Sequence, residues 1–139
     1  MSEHDVEIVR RAFAAFSEGM ASGNPAASFD AGITAPGFRW TLPAEAPGLE
    51  SQYEGRDGWL DFIRIWTEDF DWTIEIEETI DLGDGRVIVN TLQRATGKAS
   101  GVPVELHMGA IWNVEGDQVV SAENFLEPAE ALEAAGLSS

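Results

Sequence analysis

The chain contains no cysteine, which excludes disulfides, thiolate catalysis and cysteine-ligated zinc. Basic residues are scarce: 8 Lys and Arg stand against 25 Asp and Glu, a formal charge of −17. Binding to nucleic acid or to an anionic membrane surface rests on cations that neutralise phosphate, so this balance argues against both. Plain solubility, or adaptation to high salt, accounts for the charge. The only histidines are His4 and His107. They lie far apart with no paired-carboxylate motif, and no P-loop or dinucleotide motif is present, so neither metal nor cofactor is expected. No run approaches the roughly 20 apolar residues of a membrane helix. The acidic stretch 1–11 lacks an apolar run of signal-peptide length. A cytoplasmic location is the expectation.

With 139 residues, 44% of them apolar, the chain is too hydrophobic for disorder and fits one domain, residues 1–139. A domain of this size buries about two-thirds of its unfolded surface.

Hydrophobic periodicity divides the chain into helices first and strands second. Val9, Phe13, Phe16 and Met20 form one stripe of a helix over 5–20, with Asp5 as its cap. Asn24-Pro25 opens a short second helix that ends near Gly32. Residues 38–42 read as a strand that Pro43 stops. The loop 44–55, rich in Pro, Gly and Glu, is long for a compact domain. Residues 56–67 form a third helix, with Trp59, Phe62, Ile63 and Trp66 as its buried stripe. Four long strands follow, over 72–82, 86–100, 102–114 and 118–127, punctuated by Gly83-Asp84-Gly85, Gly101 and Gly116-Asp117. Such turns join strands into an antiparallel meander. Pro128 opens a terminal helix that Gly136 ends. Helices segregated from strands give an α+β layer fold, with one sheet face cupping the helices.

Five strings, in this order and spacing, resemble the SnoaL-like branch of the nuclear-transport-factor-2-like superfamily: VRRAFAAFSEG at 9–19, YEGRDGWLDFI at 53–63, TIDLGDGRVIV at 79–89, GVPVELHMGAIW at 101–112 and PAEALEAAGL at 128–137. The resemblance covers nearly the whole chain. It implies a cone, or cystatin-like roll: a curved antiparallel sheet wrapped around the N-terminal helices and open at one end to a deep pocket. It also implies a bacterial setting. The superfamily includes polyketide cyclases, ketosteroid isomerases, limonene-type epoxide hydrolases and non-catalytic members, so the fold does not decide the function.

Strand alternation predicts what faces the pocket. Leu106, Met108, Ala110 and Trp112 are more apolar than Glu105, His107, Gly109 and Ile111, and are placed inside. Val87, Val89, Thr91, Gln93 and Ala95 form the inward set of their strand, and Asn124 points inward from the last one. Gln93 and Asn124 are then the polar groups of an apolar cavity. Trp40, Trp59, Trp72 and Trp112 wall it, joined by Phe13, Phe16, Leu42 and Phe62, with Tyr53 at its mouth. Such a cavity suits a small, largely apolar molecule held by few hydrogen bonds.

Each reaction known for the family needs groups that this chain lacks at the matching positions. An epoxide hydrolase's Arg and two Asp fall at Gln93, Ala95 and Asn124, and an amide does not take a proton from water at neutral pH. A cyclase's His and Asp fall at Ala110 and Asn124. An isomerase's Asp before Pro falls at Leu42, and its Tyr donor at Phe13 or Phe16. Candidates for a substitute base are Glu45 and Glu50 in the long loop, and Glu78, which shares parity with Trp72 and Ile76 and would be raised in pKa if buried. Against this stand a loop carboxylate that is simply solvated and a His107 that faces outward. Ile88, Leu92, His107, Ile111 and Phe125 form an outward patch on the convex sheet, where a homodimer is expected. Three readings stay open: a small-molecule binder without the usual catalytic residues, an isomerase, cyclase or hydrolase with an unusual Glu base, and a dimerisation module with a filled cone.

Overall fold

The structure, a computed structural model, describes residues 2–43 and 49–137. The elements run α1 (Ser2–Ser22), α2 (Ala27–Asp30), β1 (Thr34–Thr41), β2 (Gln52–Glu54), α3 (Gly55–Asp69), β3 (Phe70–Asp81), β4 (Arg86–Gly97), β5 (Pro103–Glu115), β6 (Gln118–Phe125) and α4 (Pro128–Ala134). One six-stranded sheet has the order β2-β1-β6-β5-β4-β3.

Strands β3 to β6 form the expected antiparallel meander. The sheet as a whole is mixed, because β1 lies parallel to β6, with Trp40 opposite Ala122. Apolar alternation marks a strand and its faces but not the direction of its partner, so this pairing was not visible in the sequence. Within the long loop, β2 pairs antiparallel with β1 and sets Tyr53 opposite Trp40. Its three residues are too few to show a period. Helix α1 starts before the expected cap and holds Asp5 in its first turn, where the helix dipole favours an acid.

The main core lies on the concave side. Ile8, Val9 and Ala12 of α1 are buried against Val87 and Val89 of β4 and Ala110 and Trp112 of β5. The convex side has a second, smaller core: Ile88 and Ile111 are covered by Ala131 of α4, with Ile80, Phe125 and Leu132 around them. Gly109 makes this cover possible. A Cβ there would come within 2.8 Å of the Pro128 backbone and 3.0 Å of Ala131, so only glycine lets the helix lie this close. Glu127 and Glu130 cap α4 reciprocally, with Pro128 at its first turn.

This arrangement covers part of the apolar patch expected to be free on the convex face. Ile88 is wholly buried and Ile111 is 6% exposed, both under α4 of the same chain. Leu92 is buried too. The rest of the convex face is polar: His107 Nδ1 lies 2.7 Å from Glu77 Oε1, and Arg94 bridges Glu105 at 2.9 Å and Glu75 at 3.3 Å. Ile88 and Ile111, the centre of the apolar patch that motivated the dimer, are packed within the chain.

Helices α2 and α3 are tied at the surface by Arg56, whose guanidinium reaches Asp30 at 3.0 Å. The hydrogen bond from Arg56, then that from Asn24, holds the Asp30 carboxyl below its ordinary 3.8. A depressed carboxyl stabilises the fold above its unfolded value and loses that contribution as the pH falls through its folded one. Carbon-detected NMR titration is expected to place Asp30 below 3.8, and Arg56→Gln to move the midpoint back up. No described helix is long and apolar enough to cross a membrane.

Candidate functional site

Two hollows lie on the concave side. The inner one, about 40 Å³, is lined mainly by aromatic rings, among them Phe13, Phe16, Trp59 and Trp112. It has room for little more than a water molecule. Its polar side chains are the buried hydroxyls of Ser28 and Thr34, hydrogen-bonded to each other at 2.6 Å. The outer hollow is about 290 Å³ and lies towards the far end of the β3–β4–β5 surface, close to the lower bound for a small-molecule site. Trp40 and Trp72 belong to both walls.

Most of the expected lining meets in one or other hollow. Leu42, Phe62, Gln93, Met108 and Asn124 line the outer one. Two expected residues line neither. Ala110 is buried in the core between the helices and the sheet. Tyr53 stacks its ring near Phe62, 5.5 Å between centroids, and its hydroxyl accepts from the Glu50 backbone N–H at 3.0 Å, so it anchors the chain before β2. Sequence reasoning missed Trp66, Phe70 and Leu49 as outer lining. Trp66 carried a signal, standing four positions after Phe62 on the same helical face.

The amides sit in defined networks. Asn124, 6% exposed, donates from Nδ2 to the Thr41 carbonyl at 2.9 Å, pinning the end of β1 to β6. Gln93 accepts from Trp72 Nε1 at 3.0 Å and donates to Thr91 Oγ1 at 3.2 Å. The indole N–H groups of Trp40 and Trp66 are buried without an acceptor among the described residues.

No Asp, Glu, His, Lys or Arg is among the described residues that line the outer hollow. Glu78 is not there, and the reason is a bulge. Between Ile76, opposite Thr91, and Glu78, opposite Asn90, β3 carries one extra residue, which turns Glu77 and Glu78 to the same side. Glu78 is exposed on the convex face and accepts from Asn90 Nδ2 at 3.0 Å. Glu50 is exposed, and Glu45 lies outside the described residues. The carboxyls held below the ordinary range, Asp30 beside Arg56 and Asp84 beside Arg86, belong to surface ion pairs and line neither hollow. The described wall can desolvate and hydrogen-bond a guest, but it has no group that exchanges a proton at neutral pH.

No protein-family profile and no curated protein matches the sequence. Solved structures do. An NTF2-like protein of unknown function from Burkholderia pseudomallei aligns over 96% of this chain and 97% of its own, with 26% identity and a TM-score of 0.73. TerC, co-crystallised with polyporic acid, aligns over 94% and 98%, with 17% identity and a TM-score of 0.74. A candidate SnoaL-like polyketide cyclase from Jannaschia sp. CCS1 aligns over 90% and 86%, with 19% identity and a TM-score of 0.70. With its meander wrapped over α1 and α3 and its hollow at the open end, the chain has the fold of the NTF2-like proteins, the SnoaL-like polyketide cyclases among them.

Proposed function

We propose that the chain binds a small, uncharged, largely apolar molecule in the outer hollow, and does so without the acid–base residues that the family's enzymes use. The observation that supports this is the wall itself: Trp40, Leu42, Phe62, Trp66, Phe70, Trp72 and Met108 surround the space, and the amides of Gln93 and Asn124 are its polar side chains among the described residues. An ionised guest would lose its hydration there with no opposite charge to replace it.

Asn124 lines the hollow and gives one of its two amide hydrogens to the Thr41 carbonyl, with no second acceptor among the described residues, which adds a preference. A buried donor without an acceptor costs about 1–3 kcal/mol, so a guest that brings a carbonyl or ether oxygen gains over a hydrocarbon of the same shape. The test titrates the protein with 1-tetralone and with tetralin, two bicyclic molecules that differ by one carbonyl, and follows the emission of the five tryptophans. Both are expected to bind, the ketone about tenfold more tightly, the equivalent of roughly 1.4 kcal/mol for one satisfied donor. Absence of binding by either would overturn the proposal. So would turnover of any pocket-sized substrate that Asn124→Leu abolishes, since that would make the chain an enzyme with an unusual base.

A further inference from the structure

We infer that Trp72 is a partition that fixes the depth of the ligand site, and that Gln93 is a positioning residue that holds this partition shut rather than an amide offered to the ligand. The inference rests on the binding proposed for the outer hollow.

The two hollows, about 40 Å³ and about 290 Å³, share only Trp40 and Trp72 in their described linings. The two rings are not held alike. Trp40 is 4% exposed on β1, an interior strand, and is wedged between Trp59 at 5.0 Å and Phe62 at 5.6 Å. Trp72 is only partly buried and stands on β3, an edge of the sheet. Its ring neighbours are looser: Phe16 at 5.7 Å, Phe62 at 6.1 Å and Trp66 at 6.3 Å. Directly opposite Trp72 across β3 and β4 is Ala95, whose methyl leaves room for the large ring, and the residue diagonal to it is Gln93. Gln93 Oε1 accepts a hydrogen bond from the Trp72 indole N–H at 3.0 Å, while its Nε2 donates to Oγ1 of Thr91, 4% exposed, at 3.2 Å. Its carbonyl and one amide hydrogen are thus engaged inside the wall. The one polar tether of Trp72 is this amide, and a ring held at one edge of a sheet by one amide is the movable member of the pair. With the ring in place, a guest is confined to the outer hollow. With it removed, the floor opens onto the aromatic inner hollow.

Calorimetric titration with 1-alkanols from hexanol to dodecanol reads the depth directly. In the unmodified protein each added methylene is expected to improve affinity about fourfold until the outer hollow is full, and nothing thereafter. In Trp72→Ala the plateau is expected at longer chains. Dodecanol gains about tenfold or more relative to hexanol, which two further buried methylenes supply, while hexanol itself weakens because it loses the Trp72 wall. Gln93→Leu, which removes the tether but keeps the ring, is expected to shift the plateau in the same direction by less. A shift of the chain-length cutoff to longer alkanols is not what a merely structural role would produce, since general loosening would weaken all chain lengths and leave the cutoff in place. The same cutoff in all three proteins overturns the inference and leaves binding intact. Binding of alkanols by Trp72→Ala alone supports the partition and removes the proposed function. Binding by none removes both. If Trp72→Ala does not fold, Trp72→Phe, shorter and without the N–H, carries the same comparison, and an unmoved cutoff there overturns the inference.

Discussion

Replacing Trp40 with alanine is expected to destabilise the fold by about 3–5 kcal/mol, the range for truncating a large aromatic in a packed core. The ring is 4% exposed and lies where β1, α3 and β5 meet. Its centroid is 5.0 Å from Trp59, 5.6 Å from Phe62, 6.0 Å from Trp112 and 6.4 Å from Phe38. Tilted and edge-on contacts of this kind add to what area burial alone supplies. The residue is also a wall of both hollows, so its removal joins two existing voids instead of leaving a gap that neighbours can close. Phenylalanine gives the sharper contrast. The Trp40 N–H has no acceptor among the described residues, so Trp40→Phe loses volume but none of the described hydrogen bonds, and is expected to cost about 1 kcal/mol. Trp59→Phe gives up the 2.8 Å bond to the Pro25 carbonyl and leaves that oxygen unpaired, so it is expected to cost more. Urea denaturation with an unchanged m-value measures all three. If Trp40→Ala cost no more than about 1 kcal/mol, the ring would be packed far more loosely than its neighbours' distances require.

The outline of the cone was legible in the sequence because most elements carry a one-sided apolar pattern. Val9, Phe13 and Phe16 mark the inner face of α1, and Ile8 and Ala12, missed in the stripe, complete it. Trp112 and Ala110 against Glu105 and His107 mark the faces of β5 correctly. The glycine turns fixed the meander, since Gly83, Gly85 and Gly116 all have positive φ. Gln93 and Asn124 followed from parity and do face the hollow.

Strand parity failed at β3, where it was assumed to run unbroken. One extra residue near Glu77 reverses the face of everything after it, so Glu78 left the list of possible bases and Thr79 took the inward place, within 3.5 Å of Arg10. A bulge leaves no mark in apolar periodicity when the residues at it are two consecutive acids and a threonine, as Glu77, Glu78 and Thr79 are here. The roles of the pocket aromatics were missed for a different reason. Alternation says that Trp72 faces inward, but which of two hollows it faces, and that it divides them, depends on packing between α1, α3 and the sheet.

Ile88→Asp is expected to destabilise the fold by about 4 kcal/mol or more at pH 7, the equivalent of a carboxyl pKa raised by some three units through burial. An apolar outward residue on a convex strand reads in sequence as a free patch, and on that reading a charge would only break a dimer and leave the subunit as stable as before. The structure places the same residue under a helix. Ile88 is fully buried, opposite Ile111 on β5 and Ile80 on β3, with Ala131 above it. Gly109 lets α4 approach so closely that no water layer separates helix and sheet at Pro128. The pH dependence has a definite sign. The new carboxyl is raised above its unfolded value of about 3.9, so the penalty is small below that pH, grows as the pH rises through it, and is complete above the folded value. Urea unfolding at pH 7 and at about pH 4 measures the difference, and light scattering gives the mass. A variant of unchanged stability but halved mass would show that this face is covered by a second subunit and not by α4. A variant destabilised at pH 7, with much of the loss recovered at pH 4, would show that the terminal helix is part of the core that holds the sheet in its curve.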